Sequence, residues 1–138
     1  MYMKKIFLLI LLSITFTSAG CSSTANKAAI TGVISHNHRM EIPVGYKVTI
    51  LIEDITKPGV TGKRIAQKVI ESQGEVLPMP FEIVYDPGQI NADHTYSVKV
   101  MIEDSTGGIL YSNDSNVPVI THGNPTQNIE VKVILIKG

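Results

Sequence analysis

Short segments of alternating apolar and polar residues make up the chain from Ala29 onward, and this pattern restricts the fold more than any other feature. Tyr96–Glu103 shows it most clearly, because every second residue from Tyr96 to Ile102 is apolar. Successive side chains of a strand point to opposite faces, so the pattern predicts strands with one buried face. Glycine, proline, asparagine and aspartate separate the segments and predict turns between them.

The predicted strands cover residues 30–35, 46–53, 81–85, 96–103, 109–112, 117–121 and 128–136. In the last of these, Ile129, Val131, Val133 and Leu135 fall on one face. Several short strands with turn signals at fairly regular intervals are typical of a β-sandwich. We therefore predict an all-β fold over residues 29–138, a two-sheet antiparallel β-sandwich of roughly seven to eight short strands.

The segment from Lys63 to Glu71 leaves two interpretations open. Ile65, Ala66, Val69 and Ile70 fall at helical spacing, and the charged and polar residues between them would form a solvated face. As a strand, the same segment alternates poorly. A short helix alone between strands is nevertheless marginal, because most helical stability in proteins comes from tertiary packing.

The N-terminal residues have the order of a secretory signal peptide. Lys4 and Lys5 give a positive head, an apolar run follows, and small residues lead to Cys21. This apolar run is too short and wrongly flanked for a transmembrane helix. We predict a lipoprotein signal peptide over residues 1–20, lipidation of Cys21, and a flexible polar tether over residues 21–28.

Cys21 is the single cysteine of the chain, so it has no intramolecular disulfide partner. A spare thiol left by an ordinary signal peptide is the alternative, and Ser18 stands where such lipidation signals usually carry leucine. Acyl chains on Cys21 would hold the domain to a membrane. Ser22 directly after the cysteine resembles the sorting signal of outer-membrane lipoproteins in Gram-negative bacteria. We therefore expect the protein on the periplasmic face of the outer membrane.

The charge balance argues against nucleic acid as a partner. The chain has 12 basic and 12 acidic residues, and Lys4 and Lys5 leave with the signal peptide. The mature part is therefore slightly acidic, without a basic stripe to follow a phosphate backbone.

The four histidines do not indicate a metal site. His36 and His38 are two residues apart, so on an extended backbone they point the same way and could share a metal, but no third ligand is evident. His94 and His122 lie beside turn residues, where a histidine is usually solvated. We predict no metal and no cofactor.

The carboxylates give no catalytic site either. Glu53–Asp54 and Glu103–Asp104 both end apolar strands and could be neighbours if those strands pair. Paired carboxylates can perform acid–base chemistry, but no nucleophile or base completes a site here. The sequence also has no glycine-rich phosphate loop between a strand and a helix. We therefore predict that the protein is not an enzyme.

Three aromatic or apolar residues have a predicted role. Tyr96 opens the clearest strand directly after a polar loop, and we expect its hydroxyl to bond back to the loop backbone, as in a tyrosine corner. Met79 and Phe81, between and after prolines, are expected to be partly exposed and to contact a partner protein. The alternative is that Phe81 fills the core and Met79 belongs to a loop.

Several segments of the mature domain resemble the YbaY/YscW family of small bacterial lipoproteins, whose second member is a type III secretion pilotin. The resembling segments are Gly32-Val33-Ile34, Ile42-Pro43-Val44-Gly45, residues 48–54, Ile65-Ala66, Val69-Ile70, residues 78–83, Tyr96-Ser97-Val98 and residues 118–121. This resemblance implies a β-sandwich on a lipid anchor and no catalytic centre. It also favours a strand over residues 63–71.

The resemblance implies a protein-binding module in the outer membrane, a pilotin or chaperone for a secretin subunit. Edge-strand pairing with an extended part of the partner is the expected mechanism. Two other functions stay open at this stage. One is a structural or envelope-stress lipoprotein without a secretion partner, and the other is a ligand-binding or hydrolytic envelope protein with a concave site built from His36, His38, Asp93 or His94.

Overall fold

The computed structural model describes residues 26–136. The predicted signal peptide, Cys21 and most of the predicted tether therefore lie outside the described residues. Within residues 26–136, no helix has the length and apolar character needed to span a bilayer.

The described chain is built from β-strands, which confirms the predicted all-β fold. The strands are β1 (Ala28–Ser35), β2 (Met40–Glu41), β3 (Lys47–Asp54), β4 (Lys63–Glu71), β5 (Val76–Leu77), β6 (Met79–Tyr85), β7 (Tyr96–Glu103), β8 (Ile109–Ser112), β9 (Pro118–Val119), β10 (Ile129–Lys132) and β11 (Ile134–Leu135). A single 3₁₀ turn, Pro87–Gln89, is the helical element of this part of the chain.

Two main sheets form the domain. The larger one has the order β11-β8-β7-β3-β4, with β9 also paired to β7, and the smaller one has the order β10-β1-β6. The short strands β2 and β5 form a separate pair. Alternate residues of each long strand point into one core between the sheets, as the sequence pattern predicts. On β6, for example, Met79, Phe81, Ile83 and Tyr85 are buried.

The small sheet contains one pairing that the sequence analysis did not predict. β1 runs antiparallel to β6 but parallel to β10, and Gly32 of β1 pairs with Ile129 of β10. A Cβ atom on residue 32 would lie 2.0 Å from the carbonyl oxygen of Ile129. Only glycine permits this approach, so Gly32 lets the two strands pair.

The predicted final strand over residues 128–136 is divided between the two sheets. β10 pairs with β1 in the small sheet, whereas β11 pairs with β8 in the large sheet. Val133 lies between them, is fully buried, and donates its N–H to the carbonyl of Ser35. Because the chain changes sheets here, Leu135 does not continue the buried face, and the expectation that it does is wrong. Its side chain is 54% exposed.

The segment Lys63–Glu71 is a strand, so the helical interpretation is wrong. β4 pairs antiparallel with β3, and its inward positions are Ala66, Lys68 and Ile70, opposite the buried Ile52, Ile50 and Val48. Lys68 interrupts the apolar series at an inward position. This interruption explains the poor alternation in the sequence, because β4 is an edge strand whose inner face is only partly covered.

Candidate functional site

His94 and Asp54 hold two loops together at one end of the sandwich. Nδ1 of His94 lies 2.6 Å from Oδ2 of Asp54, and this is the single ion pair found in residues 26–136. Thr56 donates its main-chain N–H and its hydroxyl to the same carboxylate. Thr56 also accepts from the N–H of Thr95, and Thr121 donates to the carbonyl of His94. These bonds give the pair a structural role between loops.

The pKa of Asp54 follows from these contacts. Burial opposes the charged form, but hydrogen bonds from Thr56 and His94 outweigh it and lower the pKa of Asp54 below its usual value. His94 and Asp54 line a recess of 280 Å³ together with Lys57 and Lys63. Among the described residues, no serine lines this recess.

The histidines do not come together as a site. His36 and His38 are close, with ring centroids 6.1 Å apart, and His36 packs edge-on against Tyr111 at 5.7 Å. The two line one depression, whereas His94 lines another. Among residues 26–136, no group of three or more metal-ligating side chains is found. His36 and His38 therefore share a depression that His94 does not line, and Asp93 lines neither of the two.

The two Ile-Glu-Asp strand ends do not meet. β3 and β7 are antiparallel neighbours, so Asp54 lies opposite Tyr96, whereas Glu103 lies opposite Lys47. The two carboxylate pairs are therefore at opposite ends of the sheet. The hypothesis of a shared acid–base site is wrong for this geometric reason.

The predicted tyrosine corner is present. Tyr96 is 1% exposed, and its hydroxyl accepts a hydrogen bond of 2.8 Å from the N–H of Asn91. The aromatic ring fills the core, while the hydroxyl fixes the loop that precedes β7. This arrangement supports the fold and positions the loop that carries His94.

Met79 and Phe81 do not have the expected exposure. Their side chains are 8% and 5% exposed, because both lie at inward positions of β6 and pack in the core. The expectation of partial exposure is therefore wrong, and the predicted partner contact stays a prediction without structural support. Phe81 does line a surface groove, but Met79 does not.

This groove has a volume of 720 Å³ and lies between the small sheet and strand β4. It is lined by Thr31, Gly32, Val33, Lys68, Ile70, Pro80, Phe81, Glu82, Asn128, Ile129 and Glu130. Lys68 closes one side, since its ammonium group donates to the main-chain carbonyl of Glu82 at 2.9 Å. Lys68 of β4 therefore covers part of the edge of β6 that is not paired with β1.

An exposed aliphatic edge is the functional candidate that sequence reasoning missed. Ile109 next to the β7–β8 turn, Leu135 on β11 and Ile136 after it are 43%, 54% and 42% exposed. β11 and β8 are paired, and Ile136 donates its N–H to the carbonyl of Leu110. The sequence signal was the run Ile134-Leu135-Ile136, in which alternation stops.

Comparison with known proteins connects this domain to bacterial secretion. Residues 25–131 match the family described as type III secretion system lipoprotein chaperone (YscW). The fold is similar to the structure of an alternative pilotin from the type II secretion system of Vibrio cholerae, with a TM-score of 0.74 and 26% sequence identity. The match covers 81% of this chain and 99% of the pilotin chain. No curated protein matches the chain significantly.

Proposed function

Since this chain belongs to the YscW family of type III secretion system lipoprotein chaperones, we propose that it is a pilotin-like lipoprotein that binds a secretin subunit. In this proposal the β-sandwich lies in the periplasm, and a lipid on Cys21 holds it to the outer membrane. The protein acts by surface contact and not by catalysis.

The similarity to a pilotin over 99% of that pilotin's chain is the observation that carries the proposal. A match of this extent involves the whole sandwich and not one shared hairpin. The family match over residues 25–131 supports the same function from the sequence.

The anchor is supported by the sequence around Cys21. Small residues precede the only cysteine of the chain, and a polar segment separates it from β1, which begins at Ala28. The seven residues from Cys21 to Ala28 would span at most about 25 Å if fully extended. A tether of this length would hold the sandwich close to the membrane surface. Each buried methylene of an acyl chain adds about 0.8 kcal/mol of membrane affinity, so several chains hold the domain firmly.

A non-enzymatic role is supported by the contacts of the His94–Asp54 pair. The Asp54 carboxylate already accepts bonds from Thr56 and His94, and Thr56 and His94 in turn fix the neighbouring loops. We therefore assign this pair to loop structure.

The test is capture of a secretin in the native envelope. Tagged protein is crosslinked in cells, purified from the membrane fraction, and its partners are identified by mass spectrometry. A secretin subunit is expected, and the amount of assembled secretin multimer should fall when the gene is deleted. A Cys21→Ser variant should lose labelled palmitate and leave the outer membrane. Unchanged secretin assembly in the deletion strain, with no secretin among the crosslinked partners, would rule the function out.

A further inference from the structure

The chain enters the sandwich at the same end as the loop that carries His94. Ala28, the first residue of β1, pairs with Tyr85, the last residue of β6. Tyr85 and Thr121 line one depression, and Thr121 donates its hydroxyl to the carbonyl of His94. His94 in turn pairs with Asp54, where β3 ends. The end that carries Ala28, Tyr85 and Asp54 is called the tether end, because the predicted tether leaves the domain there.

The loop between β3 and β4 brings positive charge to the tether end. Residues 55–70, called the basic hairpin, contain four of the 12 basic residues of the chain and none of its 12 acidic residues. The four are Lys57, Lys63, Arg64 and Lys68, and all of them are exposed. Lys57 and Lys63 lie nearest the tether end, since β4 begins at Lys63 opposite the last residue of β3. The mature chain is slightly acidic, so the basic hairpin is opposite in charge to the remainder.

The carboxylates beside the basic hairpin leave the charge of its loop in place. Glu53 lies opposite Arg64 between the two strands, so it offsets the charge of Arg64. Both oxygens of Asp54 already accept hydrogen bonds from the neighbouring loops. Lys57 and Lys63 therefore remain as the solvent-facing charges of the loop.

An exposed valine lies between these two lysines in the loop. Val60 follows the turn Pro58-Gly59, and its side chain is 62% exposed. At a membrane interface, an apolar side chain enters the headgroup layer while lysine ammonium groups remain near the phosphates. Val60 alone supplies little apolar area, so a contact of this kind needs an anchor to hold the domain near the lipid.

The second loop of the tether end is acidic, and this difference specifies an orientation. The connection between β6 and β7 carries Asp86 and Asp93, and both are exposed. An anionic surface attracts the basic hairpin and repels this connection. The tether spans at most about 25 Å, so the tether end lies within that distance of the lipid headgroups. Anionic headgroups are therefore the occupant that both the tether length and the hairpin charge favour.

We propose that the basic hairpin docks on anionic phospholipid headgroups of the membrane that holds the tether. Lys57 and Lys63 contact the phosphates, and Val60 enters the headgroup layer. Docking directs the opposite end of the sandwich, where β2 and β5 pair, away from the membrane. This inference rests on the lipid anchor of the proposed function.

The single cysteine and the lack of tryptophan allow a direct test. The chain is produced without the signal peptide and coupled through Cys21 to a maleimide lipid in vesicles of phosphatidylethanolamine and phosphatidylglycerol. Val60→Trp introduces the sole tryptophan, and quenching by lipids brominated near the headgroup reports its contact with the bilayer.

Two matched tryptophan variants control for the proximity that the tether imposes. Val44→Trp lies in the turn before β3 at the opposite end, where the native valine is 68% exposed. Gln89→Trp lies at the tether end, between Asp86 and Asp93. We expect quenching of Val60→Trp to be at least about fivefold stronger than quenching of either control.

Lysine substitutions in the Val60→Trp protein test the electrostatic part. Lys57→Gln combined with Lys63→Gln should lower the contact equilibrium about 25-fold, because each lysine near an anionic surface contributes about fivefold. Arg39→Gln combined with Lys132→Gln removes the same charge near the opposite end and should leave quenching unchanged. Phosphatidylcholine in place of phosphatidylglycerol, or added salt, should weaken quenching as the hairpin variant does.

The outcomes separate this inference from the proposed function. Equal quenching of Val60→Trp and Gln89→Trp, or full quenching in the hairpin lysine variant, would overturn the docking and leave secretin capture unaffected. Coupling should also protect residues 56–62 of the unsubstituted chain from hydrogen exchange, and unchanged exchange would contradict the contact. Missing palmitate on Cys21 or missing secretin capture in cells would instead overturn the proposed function. Secretin capture that depends on Lys57 and Lys63, without lipid contact, would assign the basic hairpin to a partner protein and overturn the inference.

Discussion

The hydroxyl of Tyr96 accepts a hydrogen bond from the main-chain N–H of Asn91 at 2.8 Å, across the turn that leads into β7. The residue that begins the most regular strand therefore also fixes the loop before it. This loop carries His94, whose pairing with Asp54 connects it to the end of β3.

Tyr96→Phe should lower the free energy of unfolding by about 1 kcal/mol, because it removes the acceptor of the Asn91 N–H and keeps the aromatic ring. Urea denaturation measures this change. Tyr111→Phe is the control, since no hydrogen bond to the Tyr111 hydroxyl is found within residues 26–136. Equal losses for both variants would contradict the tyrosine corner.

Gly32→Ala should lower the free energy of unfolding by about 3 kcal/mol, since the new Cβ overlaps the Ile129 carbonyl and separates β1 from β10. Gly59→Ala has open space and a positive φ, so about 1 kcal/mol is expected there. Thermal and urea unfolding of both variants test the comparison. If the Gly32 variant is as stable as the Gly59 variant, the close strand approach is not a constraint.

Met79→Asp should destabilise the domain by more than about 3 kcal/mol, because it places an unpaired charge in the core. Val84→Asp on the exposed face of β6 should cost about 1 kcal/mol or less. Circular dichroism during urea unfolding distinguishes the two. A folded, stable Met79→Asp protein would show that this side chain is reachable from solvent.

Acid should remove the stabilisation that Asp54 provides. Its pKa is lower in the folded state than the usual 3.8, so the contribution is present above 3.8 and disappears as the pH falls through the folded-state value. The difference in unfolding free energy between wild type and Asp54→Asn should therefore shrink below pH 3.8. Asp93→Asn, an exposed aspartate of the neighbouring loop, is the control. A constant difference down to the lowest pH would contradict this linkage.

Lys68→Met should increase self-association at high protein concentration, because the β6 edge loses its covering ammonium group. Light scattering over a concentration series measures this effect. Lys63→Met on the same strand, which makes no such contact with β6, should remain monomeric. Identical behaviour of the two variants would mean that Lys68 does not protect the edge.

Strands β3, β6 and β7 could be predicted from sequence because each has one fully buried face. Val98, Val100 and Ile102 are all inward on β7, whereas Lys99 and Met101 between them are only partly buried. β4 could not be predicted from its pattern, since Lys68 occupies an inward position. Periodicity reports burial, and an edge strand with a half-covered face gives a weak periodic signal.

The exposure of residues on β6 and β11 could not be predicted for a related reason. Pro78 and Pro80 around Met79 suggested an irregular, exposed entry, but β6 extends through this segment and buries Met79 and Phe81. The exposure of Leu135 depends on the change of sheets at Val133, which is a tertiary event. Alternation stops in the run Ile134-Leu135-Ile136, but this run alone does not indicate which of its side chains is left uncovered.

Strand β1, near the beginning of the domain, has its parallel neighbour β10 near the end. A chain synthesised from its N-terminus cannot form the pairing of β1 with β10 until nearly all of its residues are available. Such late closure slows folding, because the connecting loop must be ordered before the contact forms.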